Sequence, residues 1–363
     1  MYGPAVQTFH SESDEEAPTT VSPVDDRLTA AAALQRVRKG EYLEYRGDFQ
    51  NAKQLLGAMS RRLTKRTKPG SALDAFRAER RARQLEHDTL SRILVSLDDS
   101  YRLSLARAPD VAQACAWVWG PPKGEQTLVA LKTLLGMLGA AEWRRKGLPV
   151  PGLHAKLRPH YGVYLPTRTD YLELLAELPE QRGKRVFDIG CGTGVLSFLL
   201  LQRAAKSVVA TDLDPRAIAC ATENAGRLGY EGRFEAREQD LFPEGQADLV
   251  ICNPPWIPEP PKNRVDRAVF DEGSSFLRRF LEGLPAHLTP TGEGLLILSD
   301  LAVLLGLRPA TWLDEQLASA GLKVKWQRGR PADHSKAKDE SDPLHAARSR
   351  EITSLYCLVR ATP

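Results

Sequence analysis

Four consecutive residues, Asn253-Pro254-Pro255-Trp256, have the types and the order that a site acting on a planar amine requires. They follow an apolar run, Ala247-Asp248-Leu249-Val250-Ile251-Cys252, that reads as a short buried strand. An exocyclic amine on a nucleobase, or a carboxamide, has its nitrogen lone pair delocalised and is a poor nucleophile. Removing a proton from it near neutral pH is very costly. Accepting hydrogen bonds from its N–H groups, so that the lone pair turns toward an electrophile, needs only positioning and electrostatics. The Asn253 side-chain oxygen and the Pro254 backbone carbonyl are the candidate acceptors. Pro254 and Pro255 fix φ and add no competing N–H, and Trp256 offers a flat face for stacking.

A second set of residues lies upstream. "VFDIGCGTG", Val186–Gly194, reads as a strand that runs into glycines at alternate positions and then a helix. Gly190, Gly192 and Gly194 let a ligand approach the backbone, and the helix start offers free N–H groups. The spacing departs from the dinucleotide pattern G-x-G-x-x-G, because the third glycine comes one residue early. The next strand, "VVATDLD", ends at Asp212, about 20 residues on, where a carboxylate can bind ribose hydroxyls. Asp214 suits the cap of a helix opening at Pro215, which leaves Asp212 for a ligand. Asp240, after the third strand, is placed to meet an adenine amine. Asp188 contacts the ligand or orders the glycine loop. Cys191, with no His or second Cys near it in sequence, reads as small filler within that loop.

Together, Val186–Gly194, Asp212, Asp240 and Asn253–Trp256 resemble a class I S-adenosylmethionine-dependent methyltransferase, of the N-methylating branch that carries "[DN]-P-P-[FYW]". The resemblance covers roughly residues 161–360. It implies an α/β fold, a doubly wound, Rossmann-like seven-stranded sheet whose last strand is antiparallel. It implies S-adenosyl-L-methionine as methyl donor, held by Asp188, Gly190, Cys191, Gly192, Thr193, Gly194, Asp212, Leu213, Asp240, Leu241 and Asn253. In "GVYLPTRTDYLELL", Gly162–Leu175, it places Thr167 and Arg168 over the methionine end of the cofactor. The sulfonium is itself the electrophile, so no metal is called for.

Short apolar runs at residues 185–189, 207–211, 233–238, 248–252 and 294–298 alternate with helical stretches at 195–203, 215–228 and 275–287, the grammar of a parallel sheet. Two late runs, 323–328 and 352–359, have no helix between them and read as a closing hairpin. The polar segment between them, residues 329–350, is expected to be a mobile lip for a macromolecular substrate. Residues 1–26 hold six acids and no bases and read as a disordered tail. Residues 27–146 show helical periodicity and are expected to form an all-helical domain that recognises substrate, joined through a linker at 147–160 to the catalytic domain at 161–363.

Charge is uneven along the 363 residues. Residues 27–160 carry 25 Lys and Arg against 12 Asp and Glu, a net +13, while the whole chain has +4. Arg61, Arg62, Lys65, Arg66, Lys68, Arg77, Arg80, Arg81 and Arg83 face only Asp74 and Glu79 in that stretch, a composition suited to phosphates. This favours RNA over protein as the partner, with a nucleobase exocyclic amine in RNA, or in DNA, as acceptor. Other readings are a glutamine side chain, a small metabolite amine, or a cofactor-binding scaffold without chemistry. "NPPWIP" and "DEGSSFLRRFLEGLPAHLTPTGEGLLIL" are similar to the protein-glutamine methyltransferases that modify peptide-chain release factors, although Trp256 stands where that family has tyrosine. Five scattered cysteines without a C-x-x-C pair suit a reducing, cytoplasmic setting. The N-terminus has neither the basic start nor the apolar core of a secretory signal, and no apolar stretch is long enough to span a membrane.

Overall fold

The computed structural model describes residues 7–11, 16–63, 70–166, 168–263 and 265–361. The chain divides into two units, residues 1–70 with 74–142, and residues 71–73 with 143–363.

The first unit is not all-helical. Its elements are β1 (Gln7–His10), β2 (Val21–Val24), α1 (Ala30–Arg38), β3 (Tyr42–Tyr45), α2 (Phe49–Leu63), α3 (Ala72–Leu90), β4 (Ile93–Leu97), α4 (Ala112–Trp119), β5 (Gln126–Ala130) and α5 (Leu131–Lys146). The strands form a mixed sheet in the order β1-β5-β4-β3-β2. β4 and β5 are short runs buried on both faces, so they show no alternation, and each abuts a helical stretch that masks it. The expected acidic tail contributes both edge strands. Asp26 is tied in as well: its Oδ1 accepts bonds from the Tyr45 hydroxyl at 2.6 Å, the Asp48 N–H at 3.0 Å and the Asn51 amide at 3.1 Å.

The second unit holds α6 (Asp170–Ala176), β6 (Arg185–Ile189), α7 (Val195–Gln202), β7 (Ser207–Asp212), α8 (Pro215–Leu228), β8 (Phe234–Glu238), β9 (Ala247–Cys252), α9 (Ser275–His287), β10 (Leu288–Ser299), α10 (Leu301–Leu304), α11 (Trp312–Ser319), β11 (Leu322–Pro331), α12 (Ser335–Lys338), α13 (His345–Arg348) and β12 (Ile352–Arg360). The sheet order is β11-β12-β10-β9-β6-β7-β8, and β12 runs antiparallel to both its neighbours. Successive strand residues feed opposite faces. Val186, Leu249, Ile251, Leu295 and Leu355 enter one core with Phe198 and Leu199. Phe187, Val250, Cys252, Leu296 and Leu358 enter the other with Phe280 and Leu284. Apolar positions filling both faces are what a doubly wound sheet demands, and the seven-stranded expectation holds.

The stretch read as a linker is built into this unit. Leu148 and Leu157 exchange backbone bonds at 2.7 and 3.0 Å, and Leu157 is fully buried. The glycine loop also packs tightly at its last member. Gly194 has φ +80°, and a Cβ there would lie 2.7 Å from two Phe198 ring carbons and 3.2 Å from the Ala221 methyl. Gly194→Ala is therefore expected to destabilise the protein by about 1–3 kcal/mol, seen as a lower urea midpoint. An unchanged midpoint would mean the α7–α8 contact yields more easily than its geometry indicates.

Candidate functional site

The sheet order reverses at β6, with β7 on one side and β9 on the other. Open α/β sheets bind ligands at such a switch point, beyond the carboxyl ends of the strands. Here Ile189 and Cys252 are register partners, the last residues of β6 and β9. The glycine loop and Asn253 therefore leave the sheet side by side, although nothing local in sequence joins them.

Backbone bonds shape the loop. The Gly190 and Cys191 N–H groups both donate to the Thr211 carbonyl at 2.9 Å, and the Gly194 N–H donates to the Cys191 carbonyl at 2.8 Å. Asp212, at the end of β7, accepts the Gly192 N–H at 3.0 Å through Oδ2 and the Asp214 N–H at 2.9 Å through Oδ1. Gly192 has φ +54°, and a Cβ built there would meet no protein atom within 4 Å. Leu213 beside it is 63% exposed. The loop thus borders open space, flanked by a carboxylate and a bare apolar side chain, which fits a nucleoside with its ribose hydroxyls and flat ring. Thr193 and Cys191 are buried, and burial pushes the Cys191 thiol well up.

Asp188 is fully buried in β6. Its Oδ2 accepts the Ser197 N–H at 3.1 Å and the Ser197 hydroxyl at 2.5 Å. It therefore anchors α7 rather than the glycine loop. Its Oδ1 has no hydrogen-bond partner among the described residues. Burial raises its pKa to about 7 against the lowering effect of the Ser197 bonds, with Asp212 adding repulsion. A buried carboxylate with an empty lone-pair side beside a ligand loop suits an ammonium group, such as that of a methionine moiety.

Asn253 is half-buried, Pro254 is buried, and Trp256 is half-buried between the two cores. The Trp256 indole N–H donates to Asn253 Oδ1 at 3.0 Å. Arg168 lies over the Trp256 ring, 4.8 Å from its centroid. The Arg168 guanidinium is engaged by Asp170, by Glu351 at 2.8 Å and by the Thr353 hydroxyl at 2.9 Å. Its donors are engaged by protein groups. Thr167 lies outside the described residues. Burial alone would raise Glu351, yet bonds from His334, Ser299 and Arg168 and the Arg168 charge hold it down at about 2. Arg308, 6% exposed, donates to Ser274 Oγ at 2.8 Å, approaches the Trp256 carbonyl at 3.4 Å and stacks on Trp312. Burial lowers its pKa. Neither Arg308 nor Glu351 carries a sequence signal, since their partners come from distant segments.

The remaining expected residues are placed as follows. Asp240 is ion-paired with Arg279 at the surface, so an adenine amine would share that carboxylate with a guanidinium. Leu241 is buried, with φ +55°. Residues 329–350 are not an open lip: β11 runs on to Pro331, α12 and α13 follow, and Ala337, Leu344 and Ala347 are buried. Arg330 pairs with Glu173 and Glu177, and Arg348 with Asp342. In the first unit Arg61, Arg62, Arg77, Arg81 and Arg83 are exposed, and Arg80 sits by the Phe76 ring. Lys65, Arg66 and Lys68 lie outside the described residues.

A seven-stranded sheet with its last strand reversed, a glycine loop at the switch point and an Asn-Pro-Pro-Trp turn beside it define a Rossmann-like S-adenosylmethionine-dependent methyltransferase. The model of the methyltransferase small domain matches residues 155–300. A provisionally assigned protein N5-glutamine methyltransferase of Methanocaldococcus jannaschii is 33% identical over 162 residues, 42% of this chain and 80% of that protein. The release factor glutamine methyltransferase of Cereibacter sphaeroides is 40% identical over 126 residues, 31% of this chain and 45% of that protein. The tRNA1(Val) (adenine(37)-N6)-methyltransferase of Pedobacter heparinus is 31% identical over 138 residues, 36% of this chain and 59% of that protein. The chain belongs to the methyltransferase small-domain family, and it spans most of the first of these relatives but less than two thirds of the other two.

The titration of Asp188 gives a test. Its pKa in the fold lies above the ordinary carboxylate value of about 3.9. The folded state therefore holds more protons than the unfolded one between roughly pH 4 and 7, and stability falls as pH rises through that window. Asp188→Asn is expected to melt above the parent at pH 8 and level with it at pH 4. It should also bind S-adenosylmethionine at least about 10-fold more weakly at pH 8, through loss of a charged acceptor. Calorimetry and melting curves at both pH values check this, and equal affinity in the two proteins would remove Asp188 from the cofactor site.

Proposed function

We propose that the chain transfers the methyl of S-adenosylmethionine to a planar amino nitrogen of a macromolecule. The observation that carries this is the Ile189–Cys252 register, by which Asn253 and the glycine loop leave the sheet side by side. The bound cofactor supplies an electron-poor methyl on a sulfonium. Asp212 and Leu213 would hold its ribose and base, and Asp188 its ammonium. Asn253 Oδ1 and the Pro254 carbonyl would accept the two N–H groups of the acceptor amine and turn its lone pair out of conjugation. Pro254 is buried and Asn253 half-buried, so both would act in a lower dielectric than bulk solvent. Once methylated, the nitrogen would be cationic and strongly acidic and would lose a proton to water, and the departing sulfur would become the neutral thioether of S-adenosylhomocysteine, so no base stronger than water is required.

The first substrate reading is a nucleobase exocyclic amine in RNA. It draws on the exposed arginines of α2 and α3, and on the relative named for adenine N6-methylation of tRNA. A second reading, a protein glutamine carboxamide, is favoured by one feature of the site. Arg168 already covers one face of the Trp256 ring, which narrows the platform a base would stack on. A carboxamide needs only the two acceptors, and two relatives are named for glutamine methylation. A cytoplasmic setting accords with five cysteines that are all free and buried, and among the described residues no helix is long and apolar enough to cross a membrane.

Tritiated S-adenosylmethionine offered with cell extract tests the assignment. Label lost to nuclease supports the first reading and label lost to protease the second. Label confined to small metabolites would overturn both. Asn253→Ala is expected to lose about 10²–10³ in turnover while its cofactor dissociation constant in calorimetry stays unchanged. A parallel loss of cofactor affinity would move Asn253 from the acceptor side to the cofactor side.

A further inference from the structure

We propose that Arg168 is a positioning residue: it holds the Trp256 ring so that the indole N–H pins the Asn253 oxygen in its acceptor orientation. This rests on Asn253 being the amine acceptor.

The two ends of an asparagine amide are nearly identical in shape, so packing alone does not decide which end meets a substrate. An indole N–H can only donate. Facing Asn253 at 3.0 Å, it requires the oxygen at that place and excludes the amide nitrogen. The oxygen has two lone pairs, so one remains for the N–H of an incoming amine. The indole must itself be held. Trp256 follows two prolines in an irregular segment, and its ring is only half-buried.

Arg168 supplies the restraint. Its planar guanidinium lies on the ring, and its donors are spent on fixed partners: Nε on Asp170 at 3.2 Å, Nη1 on Glu351 at 2.8 Å, and Nη2 on Thr353 at 2.9 Å and on Asp170. Those partners are braced in turn. Thr353 donates to Asp170 at 2.6 Å and Ser299 donates to Glu351 at 2.6 Å. The Asp170 and Glu351 side chains are 1% and 0% exposed. The guanidinium thus cannot drift off the ring without leaving buried carboxylates unpaired. A lysine could match the charge, but not the flat contact or the fork.

The test uses Arg168→Lys, which keeps the charge the two carboxylates need. In 15N-labelled protein the six tryptophans give six indole N–H resonances, and the one missing from Trp256→Phe identifies Trp256. In Arg168→Lys that resonance is expected to shift and to exchange faster with solvent. Turnover, measured with tritiated donor and the extract fraction that accepts label, should fall about 10-fold, with cofactor affinity unchanged. Adding Arg168→Lys to Trp256→Phe should cost nothing more, because no N–H is left to orient. An unmoved Trp256 resonance in folded Arg168→Lys protein, or losses that multiply in the double variant, would overturn the proposal. Glu351→Gln, which loosens the hold on Nη1, gives the same readout should Arg168→Lys not fold. Failure of the Asn253 reading shows separately, as normal turnover by Asn253→Ala with the indole resonance still responsive to position 168.

Discussion

The parallel pairing of β6 with β9 is the constraint on which the site depends. Ile189 and Cys252 end adjacent strands at the point where the sheet reverses its winding. One strand runs into the glycine loop proposed for the methyl donor, and the other into the asparagine proposed for the acceptor. Both are central and buried on both faces, so a slip of one residue would move each side chain to the wrong core. Apolar side chains such as Phe187, Ile251 and Leu296 thereby set a polar geometry that none of them touches. The order in which the loop and Asn253 emerge is a consequence of core packing, not of any interaction between the two.

Around this frame the protein buries charge in two different ways. Asp188 is held by one serine, and its other oxygen is buried without a hydrogen-bond partner among the described residues. Burial raises its pKa to about 7, and the cofactor ammonium is the partner proposed for it. Glu351 and Asp170 are the opposite case, saturated by Arg168, Thr353, Ser299 and His334. Removing a partner from such a cluster costs more than the cluster contributes net, because a charge is left uncompensated. That asymmetry suits a brace. A group meant to bind ligand stays short of partners, and a group meant to hold position has none to spare.

The difference also explains what could be read from the sequence. The strands of the second unit were legible because their buried faces leave β-branched runs between helices with a 3.6 period. The two loops at the switch point were legible as candidates because each is contiguous: Gly190–Gly194 after one strand, Asn253–Trp256 after another. Arg168 stands out in the sequence, but its partners do not, since Glu351 and Thr353 lie where β12 begins, far along the chain. The strands of the first unit were missed for a local reason. "ILVSL" and "QTLVA" are too short to show a period, and each adjoins a helix whose pattern absorbs it. The 329–350 segment reads as a polar lip because only three apolar groups, Ala337, Leu344 and Ala347, are buried in it, while strand pairing, turn hydrogen bonds and ion pairs supply the rest of its order.

The tryptophan at 256, where the resembling glutamine methyltransferases carry tyrosine, has a physical reading in this light. A phenol can donate or accept, so an asparagine facing it is free to present either end. An indole donates only, and so fixes the oxygen. The larger ring also presents the strongest face for a cation among the aromatic side chains, and Arg168 lies on that face. The substitution and the arginine support each other: the ring gives the guanidinium a surface to rest on, and the guanidinium keeps the N–H aimed. The same contact restricts what can stack on Trp256 from outside. On the proposed reading, the residue that departs from the resembling family would tighten the acceptor and narrow the platform at once, coupling acceptor geometry to substrate choice through one side chain.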